Sequence, residues 1–339
     1  MPIEGAKPFK EYKELIATLE QRGMIVVDSE RATRKISQVG YYRLSGFWYP
    51  CREMEFDTKG NAVKQYGKPK RLNKFLPTTY FDEIFKLYTL DKRLRFLLLD
   101  GIERIEINLK TVLAHELGKI NKLAYKDEHF INPTQLKDYE QKGKSRNSWK
   151  EWSKRQEAEL SRSKEDAIVW HTKSKKAIPI WVIVEAWSFG TLSKYFELLK
   201  RSHQNNIAAR LGVSNSALLV SWLREINILR NRCAHHTRVW NQTHNNAIGI
   251  PSSNSEDSLY FANFNLSTES KKKLYSLIVI IWYLVQKIGP NSDWIQHVID
   301  EIDNFPDLPI NFMKAMGIPE AGLSIDLFLL TTEKAYNKQ

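Results

Sequence analysis

Apolar residues recur at spacings of three and four over most of the chain, the period of a helix with one buried face rather than the strict alternation of a half-buried strand. Tyr12, Leu15, Ile16 and Leu19 share a face and predict a helix over residues 9–19, and a second helical segment covers about 30–52. That second segment carries the aromatic run Tyr41-Tyr42-Arg43-Leu44-Ser45-Gly46-Phe47-Trp48-Tyr49-Pro50. The pattern then breaks: residues 57–77 are rich in Gly, Pro and Lys and predict a loop or a short hairpin around Lys59-Gly60-Asn61. Thr78 or Thr79 is placed to cap the next helix, with Asp82 and Glu83 in its first turn. The stripe of Phe81, Ile84, Phe85, Tyr88, Leu94, Leu97, Leu98, Ile102, Ile105, Leu109 and Val112 runs to about Leu117, and Gly101 marks a point where this helix can bend or divide.

Residues 119–176 are mostly polar and predict an insertion with one charged helix. Pro179 suits a first helical turn, where its missing N–H has no partner, and opens a helix through Trp181, Val182, Val184, Glu185, Trp187, Leu192, Tyr195 and Phe196 to Leu199. Ser214 is placed to cap a helix whose apolar face is Leu218, Leu219, Trp222, Leu223, Ile226 and Leu229. A final helix pair is expected at about 270–287 and 293–303. Its run from Leu274 to Val285 is the most apolar of the chain, yet falls short of the roughly 20 residues a bilayer-spanning helix needs, so it reads as a buried helix and no membrane partner is expected. With no fixed repeat and no alternation of strand and helix units, the expected class is all-α or nearly so. Three regions are expected: an N-terminal helical region with a loop or hairpin over 1–78, a helical core over 79–290 with a charged insertion at about 119–177, and a C-terminal helical extension over 291–339.

The 339 residues include 51 Lys and Arg against 39 Asp and Glu, a formal charge of +12. With 42% hydrophobic and 12% aromatic residues the chain can bury a sizeable core, which argues against a disordered or disulfide-scaffolded protein. The excess of cations makes polyanions the leading partner class. It is uneven, since residues 141–176 hold eleven Lys or Arg against five Asp or Glu. There Lys142, Lys144, Arg146, Lys150, Lys154 and Arg155 are candidate phosphate contacts, with a solvated charged face as the alternative. Cys51 and Cys233 form at most one bridge in a chain large enough not to need one, and no apolar signal-peptide core opens the sequence. The expected setting is reduced and cytoplasmic.

Candidate chemistry follows the apolar stripe, where the sequence reads Arg230-Asn231-Arg232-Cys233-Ala234-His235-His236-Thr237-Arg238-Val239-Trp240-Asn241. Asn231 and His235 are four apart and share a helical face, while Arg230 lies about 140° away on an ideal helix and reaches by its length. These residue types suit RNA cleavage without a metal. A ribonucleotide brings its own nucleophile, the 2′-OH, so the protein needs a proton carrier and a cation for the charge that grows on the phosphate oxygens. Histidine titrates near neutral pH, arginine grips phosphate through a planar fork, and asparagine can orient either group. No metal or cofactor is expected, because the segment lacks carboxylates and the next histidine after His236 is His244. The spacing carries weight. Arg and His separated by four to six intervening residues arise by chance about once in such a chain, and Arg238 to His244 is a second instance, whereas Arg-Asn-x-x-x-His is expected only roughly 0.03 times. A basic helix end that caps its own last carbonyls is the structural alternative.

Arg230-Asn231-x-x-x-His235 resembles the RN-x-x-x-H signature of the HEPN superfamily of helical ribonucleases. The run from Tyr41 to Pro50, the segment Leu90-Asp91-Lys92-Arg93-Leu94-Arg95-Phe96-Leu97-Leu98-Leu99-Asp100-Gly101-Ile102-Glu103-Arg104-Ile105-Glu106, and the block PIWVIVEAWSFG from Pro179 to Gly190 are similar, in this order, to the Abi-like proteins of bacterial abortive infection, the AbiD/AbiF group. The resemblance covers about residues 21–240. It implies a HEPN-like helical bundle and an anti-phage effector, in the manner of a toxin, that cleaves RNA to 2′,3′-cyclic phosphate ends. Arg230 and His235 are then catalytic, with Asn231 supporting them. One motif per chain implies a homodimer, and relatives linked to small structured RNAs imply a noncoding RNA partner. A second reading is a non-catalytic HEPN-like protein that binds RNA through Arg230 and His235.

Glu103 and Glu106, three apart on the long helix, are accessory candidates that can orient the arginine or histidine, with an ordinary Glu–Arg pair as the alternative. His236 is accessory or merely exposed. The aromatics between Tyr41 and Trp48 can stack on unpaired bases with Arg43 on phosphate, or pack in a core. Arg232 and Arg238 complete the candidate RNA contacts, and Cys233 is expected to pack inward.

Overall fold

A computed structural model describes residues 5, 7–244, 246–252, 255, 257–320 and 322–328. Helices carry the structure, and the strands among the described residues form only two-stranded antiparallel pieces, so the class is all-α or nearly so. The chain divides into two units, Met1–Leu94 with Asp300–Phe312, and Arg95–Ile299 with Met313–Gln339.

In the first unit, α1 (Tyr12–Gln21) buries Ile16 and Leu19 and opens on a reciprocal capping box between Glu11 and Glu14. The helical segment over about 30–52 is divided by Gly40, whose φ of 92° few side-chain-bearing residues tolerate. There α2 (Ser29–Val39), capped by Asp28, gives way to α3 (Tyr41–Trp48). Leu44, Phe47 and Trp48 are buried while Tyr42 and Arg43 are exposed, so three of the run's apolar residues serve packing. The Gly/Pro/Lys-rich region makes two successive turns. β1 (Arg52–Met54) leads to the expected turn at Gly60, closed by a bridge between Phe56 and Ala62; β2 (Lys64–Gln65) and β3 (Lys68–Pro69) then pair about Gly67, and β4 (Arg71–Phe75) returns beside β1.

The long helix α4 (Phe81–Gly118) is unbroken over 38 residues. Neither threonine caps it, because the hydroxyls of Thr78 and Thr79 donate to the carbonyls of Pro77 and Leu76. Gly101 does not divide it either. A Cβ at that position would stand 2.8 Å from Trp294 Cε2 and 2.9 Å from Ile281 Cγ2, so the glycine is there for close approach of other side chains.

The second unit gives residues 119–176 more structure than one charged helix. The hairpin of β5 (Tyr139–Gln141) and β6 (Lys144–Arg146) precedes α5 (Ser148–Arg162) and α6 (Asp166–Lys173). Charged outward, α5 buries Trp149 and Trp152 inward; the Trp152 ring lies 4.5 Å from that of Tyr195 and its Nε1 donates to the Thr191 carbonyl. Two tryptophans thus tie the charged stretch to the core. The helix expected from Pro179 to Leu199 is two, α7 (Ile180–Ala186) and α8 (Phe189–Leu198), because Ser188 leaves helical geometry to cap the second. After α9 (Arg201–Arg210), α10 (Ser216–Ala234) is capped by Asn215 rather than Ser214, whose N–H and hydroxyl both donate to Asp257. The short α11 (Ser258–Ala262) precedes α12 (Leu274–Ile288), in which every residue from Leu274 to Val285 is buried. Next come α13 (Trp294–Asp303) and α14 (Phe312–Met316). Among the described residues no helix is long and apolar enough to cross a membrane.

Gly101→Ala is expected to destabilise the protein by about 1–3 kcal/mol, the usual cost of overpacking. The measurement is the urea midpoint at unchanged helical content, and an unchanged midpoint would show that α4 yields to the added methyl.

Candidate active site

Helix α10 packs against α8, α9 and α12, burying Leu219, Trp222, Leu223, Ile226, Leu229 and Cys233. Its opposite side presents Val220, Arg224, Asn227, Asn231 and His235, whose steps of four, three, four and four keep them on one stripe. The helix stops inside the motif. His235 is the C-cap residue, and His236 follows with a left-handed φ of 57°. The N–H groups of His236 and Thr237 donate to the carbonyls of Cys233 and Arg232 at 3.1 and 2.9 Å, the crossed pair of a Schellman ending with histidine where glycine is usual. Thr237 Oγ1 adds a second bond to the Arg232 carbonyl, and the buried Val239 and Trp240 fix the exit of the chain. The last carbonyls are therefore served by backbone and hydroxyl. Asn231 and His235 are exposed, and their side chains have no hydrogen-bond partner among the described residues.

Arg230 is half-buried, and Glu106 of α4 lies within reach of its charge. Burial pushes the Glu106 carboxyl up, the charges of Lys110 and Arg230 pull it back, and Glu103 adds to the rise. Lys110 Nζ lies 3.6 Å from Glu106 Oε1 and 3.8 Å from Glu185 Oε2, with its side chain only 11% exposed. Of the accessory candidates, Glu106 feels the charge of Arg230 and is paired with Lys110, Glu103 stands near Glu106 on an exposed turn, and His236 is exposed beside His235.

The basic candidates are spread out. Lys142 and Lys144 are exposed about the β5–β6 hairpin, Arg146 binds Glu151 at 2.8 Å, Lys150 lies 3.5 Å from Asp138, and Lys154 is exposed on α5. Arg155 reaches α10. A Cβ on Gly190 would stand 2.8 Å from Arg155 Nη2 and 3.3 Å from Asn227 Oδ1, so the missing side chain makes room for guanidinium and amide side by side. Together with Lys194 and Arg224 they line a cleft of about 330 Å³ on the stripe that leads to Asn231. Arg43 is exposed in the first unit, and Arg238 is half-buried.

Two features were not anticipated. Inside the second unit, His244 Nδ1 lies 3.7 Å from Glu225 Oε2, with side chains 2% and 3% exposed. Burial, with the Arg232 charge beside it, drives the His244 imidazole down to about 4, and burial pushes Glu225 up. The looser Arg238–His244 spacing therefore ends in the interior, and Arg232 is half-buried by this pair. The signal was a glutamate set within an apolar stripe, between Leu223 and Ile226. The second feature is a cleft of about 530 Å³ along α4 and α7 onto which Trp181 opens, a residue expected in the apolar pattern but 53% exposed.

The family model described as Abi-like protein matches residues 34–241, more than half of the chain and the whole of the motif. No curated protein and no solved structure matches.

The folded protein holds His244 below its ordinary value of 6.5, so this residue's contribution to stability is complete above that value and is lost as pH falls toward about 4, roughly 3 kcal/mol in all. Melting temperatures measured across this range are expected to fall more steeply for the wild type than for His244→Gln. Parallel curves would show that the imidazole is not held neutral.

Proposed function

The chain belongs to the Abi-like family, and from that premise we propose that it is an anti-phage effector whose Arg230-Asn231-x-x-x-His235 segment is a metal-independent endoribonuclease site of HEPN type. Membership supports a role in abortive infection in general. The observation that carries the finer reading is that Asn231 and His235 are exposed, with no side-chain hydrogen-bond partner among the described residues, at the end of a helix fixed by its buried face, with Arg230 beside them and Glu106 within reach of its charge.

His235 takes the proton of a ribose 2′-OH as that oxygen attacks the adjacent phosphorus. The P–O5′ bond breaks and the departing oxygen is protonated, which leaves a 2′,3′-cyclic phosphate and a 5′-OH end. Arg230 offers its fork to the non-bridging oxygens, Glu106 keeps that guanidinium in place, and Asn231 orients the imidazole or the phosphate. The end of α10 is the negative end of a helix dipole, so the backbone gives an anion no help there and side-chain cations must supply the attraction. Arg155, Lys194 and Arg224 do so along the α10 stripe. A second copy of the chain supplies the second imidazole, one acting as base and the other as acid, so the working form is a homodimer. The remaining positive charge suits a small noncoding RNA as regulator.

His235→Ala is expected to lower RNA cleavage by about 100-fold or more and to abolish toxicity. Its melting temperature is expected to stay near wild type, since His235 is exposed and its side chain has no hydrogen-bond partner among the described residues. Wild-type products are expected to carry cyclic phosphate ends with chelator present. Chelator-sensitive cuts that leave 3′-OH ends would overturn the mechanism, and identical RNA end maps in wild-type and His235→Ala cells would reduce the protein to RNA binding without turnover.

A further inference from the structure

The cleft along α4 and α7 has no part in the cleavage step above. Its volume of about 530 Å³ falls within the roughly 300–1,000 Å³ of small-ligand sites. Trp181 and Glu185 line it four residues apart on α7, hence on one helical face. Trp181 is seated firmly: Gly118 of α4 lies against it, where a Cβ would stand 3.2 Å from Trp181 Cε3, so the ring rests on helix backbone while about half of the residue, 53%, stays open. A large aromatic ring held still in a concave site is a stacking platform, and unpaired nucleobases are the flat partners that RNA brings to such platforms.

Glu185 narrows the choice of base. Its carboxylate accepts hydrogen bonds and donates none. Lys110 Nζ, 3.8 Å from Glu185 Oε2 and 3.5 Å from its carbonyl oxygen, holds both side chain and helix end. Guanine alone presents two adjacent donors, N1–H and N2–H, on its Watson–Crick edge. Adenine and cytosine set an acceptor beside their donor, and uracil flanks its one donor with two acceptors.

We propose that this cleft binds an unpaired guanine of single-stranded RNA, stacked on Trp181 with its Watson–Crick edge on Glu185. The proposal rests on RNA being the substrate, and it makes the cleft the reader of a base close to the cut. Lys110 joins the two places, since it lies 3.6 Å from Glu106, the carboxylate on which the Arg230 charge acts. At the other end of the cleft Lys119 and Arg210 converge on Glu116, at 2.6 and 3.0 Å, which leaves a cationic rim for the flanking phosphates.

The test is direct binding to full-length His235→Ala protein, so that no cutting intervenes, using a labelled oligouridylate that carries one central guanosine and the same strand with adenosine in its place. The guanosine strand is expected to bind about tenfold tighter, the discrimination of one good bidentate base contact. Glu185→Gln is expected to remove that preference and leave adenosine binding unchanged. Trp181→Leu is expected to weaken both strands about tenfold and Trp181→Phe to restore most of the loss, which separates stacking from bulk. Equal affinity for the two strands, or an unchanged affinity in Trp181→Leu, would overturn the proposal. Free GMP binding as tightly as the strand would overturn RNA as the source of the base. Because the readout is binding by a protein that does not cut, an absence of nuclease activity and an absence of guanine preference are separate results.

Discussion

Helix α10 must bury one side against α8, α9 and α12 and leave the other in water, and the candidate site follows from where that helix stops. Each large apolar side chain taken out of water stabilises the packed state by about 1.5–3 kcal/mol. A turn of the helix by one residue's worth of rotation would expose Leu229 and Cys233, so the rotation is fixed by the core. With the rotation fixed, Asn231 and His235 can only face outward. The Schellman ending then determines what the imidazole is free to do: backbone N–H groups and the Thr237 hydroxyl satisfy the final carbonyls, and His235 has no capping duty left. The strain of a histidine at positive φ, of the order of 1 kcal/mol, falls on His236 instead.

Charge is used in two ways. Much of the positive excess between 141 and 176 is spread over exposed pairs such as Arg146–Glu151 and Lys150–Asp138, which stabilise little and leave the cations open to phosphate. Inside the same unit the opposite holds. Glu225 and His244 are shut away from water next to Arg232, and removing one member of such a cluster strands the others. The +12 of the sequence is therefore not one patch. It comprises a solvated surface, a short track along α10, and an internal cluster that binds the loop after the motif to the helix that carries it.

Much of the helical architecture was legible from spacing alone. The stripes of α4 and α10 and the buried run of α12 follow from apolar periodicity, because burial acts on every side chain of a face and leaves a long repeating record. Ends were less legible. Thr78, Thr79 and Ser214 are all good cap residues by type, yet their hydroxyls went to Pro77, Leu76 and Asp257, and an asparagine one position later took the cap of α10. A cap depends on one hydrogen bond, and a competing partner distant in sequence is enough to move it. The charged stretch hid its anchor for a related reason: Trp149 and Trp152 are two residues among many Lys and Glu, too few to make a periodic signal.

By itself the sequence determined the helical class, the apolar faces, and the presence of Arg230, Asn231 and His235 at a spacing that chance rarely gives. It could do so because helical periodicity and motif spacing are local properties of a chain. Only the tertiary structure decided that Glu106 of α4 lies within reach of the Arg230 charge, that Gly190 makes room for Arg155 beside Asn227, that Trp181 opens onto a cleft, and that His244 is buried. Each of these joins residues far apart along the chain, and which faces meet is set by the packing of whole helices, a property that no single segment contains.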